Sequence, residues 1–318
     1  FDLSKPVEIA ILNYTNSVQK ILAKIFQKCE ENSFSNPKLL VDKKTMPLVK
    51  ANNPENILIN EFDEDELSNS NLTFMAEMEF DGLFGFETIS TRLLRQFGKP
   101  QMLDAFKKRD SDLPMPGKVG GNMQVAEKFV DGFEISSIEI ISNSNGISDF
   151  SIGHPKNTES LSQSFANSSM KTLERQRTMI VSTGKTASNK TLNGSLGSLW
   201  NCHSVVKNQG FVILLAECLN GIGCDAFQQF IDGRLTIERV KNASKYVDGM
   251  ENLLYLSEIQ KKFQVGLVSI LPEIYLKKLD IVPIGGVKKS MDYILKNLGQ
   301  RQKVEVIDDG ARVLLYEK

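Results

Sequence analysis

Glu79 and Asp81 stand two apart in Met78-Glu79-Phe80-Asp81-Gly82, where a run of strand character closes. Alternate residues of a strand share a face, so the pair can do acid–base work or simply rim a sheet. The chain has two histidines: His154 in Ile152-Gly153-His154-Pro155, and His203 beside Cys202. An imidazole titrates near neutrality and suits a general base. Neither histidine has a partner carboxylate at readable spacing, so packing or surface roles fit them as well. Glu217 leads into Cys218-Leu219-Asn220-Gly221-Ile222-Gly223-Cys224, straight after the apolar run 211–216. Loops at the carboxyl ends of parallel strands are where α/β folds hold ligands. That placement makes Glu217, Gly221 and Gly223 candidates to line a site, although a tight turn without a ligand explains the same string.

Two glycine-rich strings invite a phosphate reading. Gly184-Lys185-Thr186 follows a strand-like run, but the first glycine of a GxxxxGK[ST] loop would fall on Met179, inside that run. The motif fails. Gly117-Lys118-Val119-Gly120-Gly121-Asn122 opens a helical pattern, and helix N-termini attract anions. The same string is also an ordinary helix entry. With four cysteines and two histidines, no CxxC pair and no histidine cluster, neither a disulfide framework nor a structural metal is expected.

The elements that position these residues read as an alternation. Residues 7–12 (VEIAIL), 38–41, 57–62 and 72–80 have strand character, and 18–29, 88–97 and 123–133 helical periodicity. Residues 63–71 (DEDELSNSN) form a polar loop or helix start, and 114–122 a Pro/Gly loop. Runs 137–141 and 147–152 flank an Asn-Gly pair that suits a β-hairpin turn. Residues 157–169 are rich in Ser and Asn, which places a domain boundary there with an amphipathic connecting helix. Beyond it, apolar runs 179–182, 210–216, 265–271 and 304–307 alternate with helical patterns 192–207, 225–231, 251–263 and 287–298. A last strand, 311–316, follows a turn at Asp308-Asp309-Gly310. The reading is α/β: two domains, 1–165 and 166–318, with mixed and parallel sheets flanked by helices and a cleft between the domains.

Composition narrows the function. In 318 residues, 41% are hydrophobic and 24% charged, with a formal net charge of −1. That balance lacks the basic footprint of a nucleic-acid binder. No apolar run approaches the roughly 18 residues of a membrane span, and no charged-then-apolar leader opens the sequence. A cytoplasmic protein acting on a small molecule, with no nucleic-acid or membrane partner, is the expectation.

The second half resembles a known family. Thr178-Met179-Ile180-Val181-Ser182-Thr183-Gly184, then Val206-Lys207-Asn208-Gln209-Gly210-Phe211-Val212-Ile213-Leu214-Leu215-Ala216-Glu217-Cys218, then Gly221-Ile222-Gly223, look like the C-terminal domain of the nickel-dependent lactate racemase family. Leu267-Val268-Ser269-Ile270-Leu271-Pro272 and Asp308-Asp309-Gly310 continue the match. In the first half, Asn13-Tyr14-Thr15 stands where the family has Asp-x-Thr-Arg-Pro. Met78 to Phe86 resembles its Ile-Glu-Pro-His…Ala-Gly-Phe segment, and Gly120-Gly121-Asn122 its Glu-Gly-Asn-Pro.

The resemblance implies an active site between two domains. There a lysine tethers a nickel-pincer nucleotide, and a histidine binds the nickel. The cofactor takes a hydride from a 2-hydroxy acid while a histidine pair exchanges the hydroxyl proton. In this sequence the catalytic histidine falls on Asp81, the nickel histidine near Glu159, and the N-terminal arginine on Asn16. The anchoring lysine falls near Asn145 or Gly146, and no lysine occurs between Lys128 and Lys156. The substrate-contacting Gln and Lys fall near Gly194 and Gly197. The expectation is a lactate-racemase-like protein without nickel-pincer activity or cofactor, binding a small molecule or partner through Thr15, Gly120, Asn122, Glu217 and Gly223. The alternative is a hydroxy-acid racemase or isomerase with Asp81, Glu159 or His154 as acid and base.

Overall fold

The structure, a computed structural model, describes residues 3–63, 72–143, 145–184, 187–301 and 303–318. The polar stretch expected over 63–71 therefore lies outside the described residues beyond Asp63, as do Lys185 and Thr186 of the rejected GKT string. The chain divides into two compact units. Phe1–Glu79, Glu87–Ala105 and Gly121–Ser168 form the first; Phe80–Phe86, Phe106–Gly120 and Ser169–Lys318 form the second.

The first half runs β1 (Glu8–Ile11), α1 (Asn16–Glu31), β2 (Lys38–Val41), α2 (Met46–Ala51), β3 (Ile59–Glu61), β4 (Leu72–Glu77), β5 (Glu79–Asp81) and β6 (Gly85–Glu87). It continues with α3 (Ile89–Phe97), α4 (Lys99–Lys107), α5 (Met123–Val130), β7 (Ser136–Asn143), β8 (Gly146–Gly153) and α6 (Glu159–Ser169). Its sheet has the order β3-β2-β1-β4-β7-β8, parallel except for the β7–β8 hairpin. Alternation in the strands sorts the side chains into two layers. Ile9, Ile11, Leu39, Val41, Met75, Ile138 and Ile140 meet Val18, Leu22, Ile25 and Cys29 of α1. Ala10, Leu40, Phe74 and Ala76 face Ile89 and Leu93 of α3 and Val130 of α5 on the other side. The α1 stripe follows the helical repeat, and each fully buried aliphatic side chain on it contributes about 1.5–3 kcal/mol.

The second half runs β9 (Met170–Leu173), β10 (Gln176–Ser182), α7 (Leu192–Trp200), β11 (Val206–Leu215), α8 (Asp225–Ile231), α9 (Ile237–Lys241), α10 (Met250–Gln260) and β12 (Gln264–Val268). Then come α11 (Glu273–Lys278), β13 (Val282–Pro283), α12 (Val287–Leu298), β14 (Val304–Ile307) and β15 (Leu314–Glu317). Its main sheet, β13-β12-β11-β10-β14, is parallel throughout. The α/β reading, with parallel and mixed sheets flanked by helices, is the architecture found.

The two segments that the second unit draws from the first half are held by close packing. A Cβ on Gly82 would lie 3.0 Å from Pro114, 3.1 Å from Tyr255 and 3.2 Å from Trp200. Gly82 O accepts from Met115 N and Gly85 O from Gly117 N, each at 2.8 Å. Asp112 meets Lys241 at 3.4 Å. Two local expectations are corrected. The helix over 192–207 ends at Trp200, where Cys202 to Val205 turn tightly, and Val206 already belongs to β11. The last strand, read over 311–316, spans Leu314–Glu317; β15 lies parallel to β9, from Leu314↔Met170 to Glu317↔Leu173. A strand pairing remote in sequence leaves no local signature in four residues as polar as MKTL.

Candidate functional site

Each sheet has a point where its strand order reverses, and α/β folds place ligands outside the carboxyl ends there. In the first unit that point lies between β1 and β4. Asn13, just past β1, clips the end of β4: its Nδ2 donates to Glu77 O at 2.9 Å and its Oδ1 accepts from Glu77 N at 2.8 Å. Thr15 caps α1 by accepting from Val18 N at 3.2 Å. Glu77 is 6% exposed, and its Oε1 takes a hydrogen bond from Ser142 at the end of β7.

Arg92 of α3 gathers carboxylates beside this end. Its Nη2 donates to Glu79 Oε2 at 2.6 Å and to Glu77 O at 3.3 Å. Arg95, one turn on, meets Glu87 at 3.1 Å. Glu139, in the middle of β7, is fully buried, and its Oε1 accepts from Ile89 N, the first helical residue of α3, at 2.9 Å. No hydrogen bond reaches its Oε2 among the described residues. Burial pushes this carboxyl up to about 8, against the pull of the Ile89 N–H and Arg92, with Glu87 adding a smaller upward push. Burial therefore favours the protonated form of Glu139.

In the second unit the reversal lies between β10 and β14. Thr183 follows β10, and its Oγ1 donates to Asn189 Oδ1 at 2.9 Å; Asn189 Oδ1 also accepts from Glu217 N at 2.8 Å. Gly184 has φ +65, and a Cβ there would come within 2.8 Å of Asp309 Oδ1, so the position needs glycine. Burial raises the Asp309 carboxyl, while Arg312 opposes it.

The residues singled out from sequence fall as follows. Asp81 Oδ1 accepts from Leu83 N at 2.8 Å and Phe84 N at 2.7 Å, closing a turn. His154 lies after β8, with Nε2 3.2 Å from Phe133 O and Nδ1 accepting from Lys156 N at 3.3 Å. Its companion His203 is half-buried beneath Trp200 O, 2.7 Å from Nδ1, and desolvation lowers its basicity. Glu159 is exposed at the start of α6 and meets Gln163 at 3.4 Å. Asn122 is 2% exposed at the head of α5 without capping that helix, and Gly120 is half-buried two residues before it. Glu217 and Gly223 share the loop after β11, Glu217 exposed and Gly223 at φ +88 against Thr191. Thr15, Asn122, His154 and Glu159 belong to the first unit; Asp81, Gly120, Glu217 and Gly223 belong to the second.

Sequence reading missed Glu77, Arg92, Glu139 and Asp309. The available signal was a glutamate embedded in an apolar run, as in Ser137-Ile138-Glu139-Ile140-Ile141, since a strand core seldom carries a charge without a partner. Among the described residues, no group of three or more His, Cys, Asp or Glu is placed to hold a metal ion, and no helix is long and apolar enough to cross a membrane. The free thiols are held protonated by burial: Cys202 and Cys224 reach about 12 and Cys218 about 11.

One mixed and one parallel sheet, each with an order reversal and polar residues at its carboxyl ends, define an α/β class of architecture. No protein-family model and no curated protein matches the chain. Solved structures do. One is the lactate racemase apoprotein from Thermoanaerobacterium thermosaccharolyticum, with a TM-score of 0.70 and 15% identity over 98% of this chain and 87% of that one. Another is a protein from Thermotoga maritima, with a TM-score of 0.71 and 10% identity over 100% of this chain and 95% of that one. At these identities the likeness establishes a lactate-racemase-like fold.

Proposed function

We infer that this chain is a small-molecule-binding protein on the lactate racemase fold that works without the nickel-pincer cofactor. The carrying observation is that both of its imidazoles are spent on main-chain groups: His154 between Phe133 O and Lys156 N, His203 on Trp200 O. Asp81, in place of a catalytic histidine, is likewise spent on a turn. The positions that would tether the cofactor do not fit it. Asn145 and Gly146 end a hairpin, and Glu159 is an exposed helix-start residue meeting Gln163. Ligand binding is supported instead by the strand-order reversals of the two sheets, outside whose carboxyl ends α/β folds hold ligands.

The test is metal analysis and native mass spectrometry of the purified protein, beside a lactate racemisation assay. The expected result is no stoichiometric nickel and no interconversion. A nickel-loaded protein that interconverts the two lactates overturns the reading.

A second reading, a hydroxy-acid isomerase using carboxylates, draws support from the Glu79 carboxylate held at Arg92, beside the buried Glu77 carboxylate that accepts from Ser142. It predicts exchange of a substrate α-hydrogen with deuterated water. An Asp81→Asn variant that exchanges at the full rate removes Asp81 from that role.

A further inference from the structure

The strand β8 ends the six-stranded sheet, and its outer edge carries no strand among the described residues. Edge strands are ordinarily protected by lysines, prolines or short length. β8 has eight residues, GISDFSIG, and a single charge, Asp149. Its register concentrates its apolar side chains. Phe150 pairs with Ile140 and Ile152 with Ile138, and a bulge at Ser148 brings Ile147 opposite Ser142. Directly opposed residues lie on the same face of a sheet. Ile147, Phe150 and Ile152 therefore extend the layer in which Ile138 and Ile140 meet α1. They are nevertheless 37%, 53% and 51% exposed.

We propose that this edge pairs with the same edge of a second copy of the chain, joining two sheets into one across a two-fold axis at Ser151. The strand complements itself in that antiparallel register. Phe150 opposes the second copy's Ile152 in both directions, an aromatic on a β-branched side chain, which is a favourable cross-strand pair. Asp149 opposes Gly153, so no like charges meet, and only Ser151 opposes itself. The net charge of −1 puts no strong repulsion between copies. Phe150 N–H, which donates to its neighbour Asp149 Oδ1 at 2.9 Å, turns to the carbonyl of Ile152 in the second copy. Such a contact is isologous and closes at two copies.

The experiment is sedimentation analysis of the full chain over a concentration series, for the wild type and for Phe150→Lys with Ile152→Lys. The wild type is expected to dimerise, and the double variant to remain monomeric with an unchanged circular dichroism spectrum. Register is read separately by cysteine substitution. Ser151→Cys, facing itself across a non-hydrogen-bonded pair where Cα atoms approach to about 4.5 Å, is expected to form a disulfide-linked dimer under mild oxidation. Asp149→Cys, opposite Gly153, is expected to form far less. A wild type that stays monomeric throughout overturns the proposal, as does a dimer indifferent to both lysines or a cross-link favouring Asp149→Cys.

Discussion

Replacing Glu139 by Gln tests the proton that the first unit carries at its core. The carboxyl is buried, its Oε1 accepts from Ile89 N, and its ionisation is pushed from 4.5 to about 8. Glutamine keeps the acceptor and imitates the protonated acid at every pH. Below about 4.5 the wild-type group is protonated in both folded and unfolded chains, so its stabilising contribution is fully present. As pH rises the unfolded chain ionises first, and that contribution is lost progressively until the folded group ionises near 8. At about 1.4 kcal/mol per unit, the loss approaches 5 kcal/mol. Urea denaturation of both proteins from pH 5 to 9 reads the difference directly. Their stabilities should lie close together at pH 5 and diverge in favour of the variant, levelling off above pH 8. Parallel pH profiles would refute the reasoning, because they would mean that Glu139 ionises in the folded chain as it does in the unfolded one.

Arg92→Met removes the cation that Glu79 and Glu77 O share; with Glu79 partly exposed, a loss of about 2 kcal/mol is expected in urea denaturation. Gly223→Ala adds a Cβ at φ +88 within 2.5 Å of Thr191. It should lower stability by about 1–3 kcal/mol, read as a drop in melting temperature, whereas Gly221→Ala, with open space around its Cβ position but φ +80, should cost less. The cysteines, three buried and Cys224 half-buried, should react slowly with a thiol-specific disulfide reagent at pH 8 and fast once unfolded. Rapid labelling of Cys224 in the native protein would contradict its packing against Gly249.

Much of the layer order was legible because burial on one or both faces writes itself into periodicity. Residues 38–41, 225–231, 287–298 and 304–307 read as single elements and are found as β2, α8, α12 and β14. Thr88 and Gly98 mark the limits of α3 through a capping box and a terminal glycine. What escaped was set by partners distant in the chain. The β9–β15 ladder joins strands separated by the whole second sheet. Gln209, left-handed at φ 59 and bonded to Lys262 O, sits inside β11, between the helical pattern 192–207 and the strand run 210–216 of the sequence. The site was legible only in part. Glycines and turn residues announce a loop and an apolar run flags Glu139, but Arg92 looks like any surface helix residue until its neighbours are known.

The interleaving of the two units has a consequence for synthesis. Residues of the first unit end at Ser168, so it can close as soon as that residue leaves the ribosome. The segments Phe80–Phe86 and Phe106–Gly120 cannot, since Gly82 packs on Trp200 and Tyr255 and Gly117 on Leu314 and Tyr316, all in the unit that Ser169–Lys318 completes. At about 5–20 residues per second, the remaining stretch takes on the order of 10 s to appear. For that interval the two segments lack those packing partners. A holding chaperone would find its target there, and a truncated product ending near residue 168 would lack them permanently.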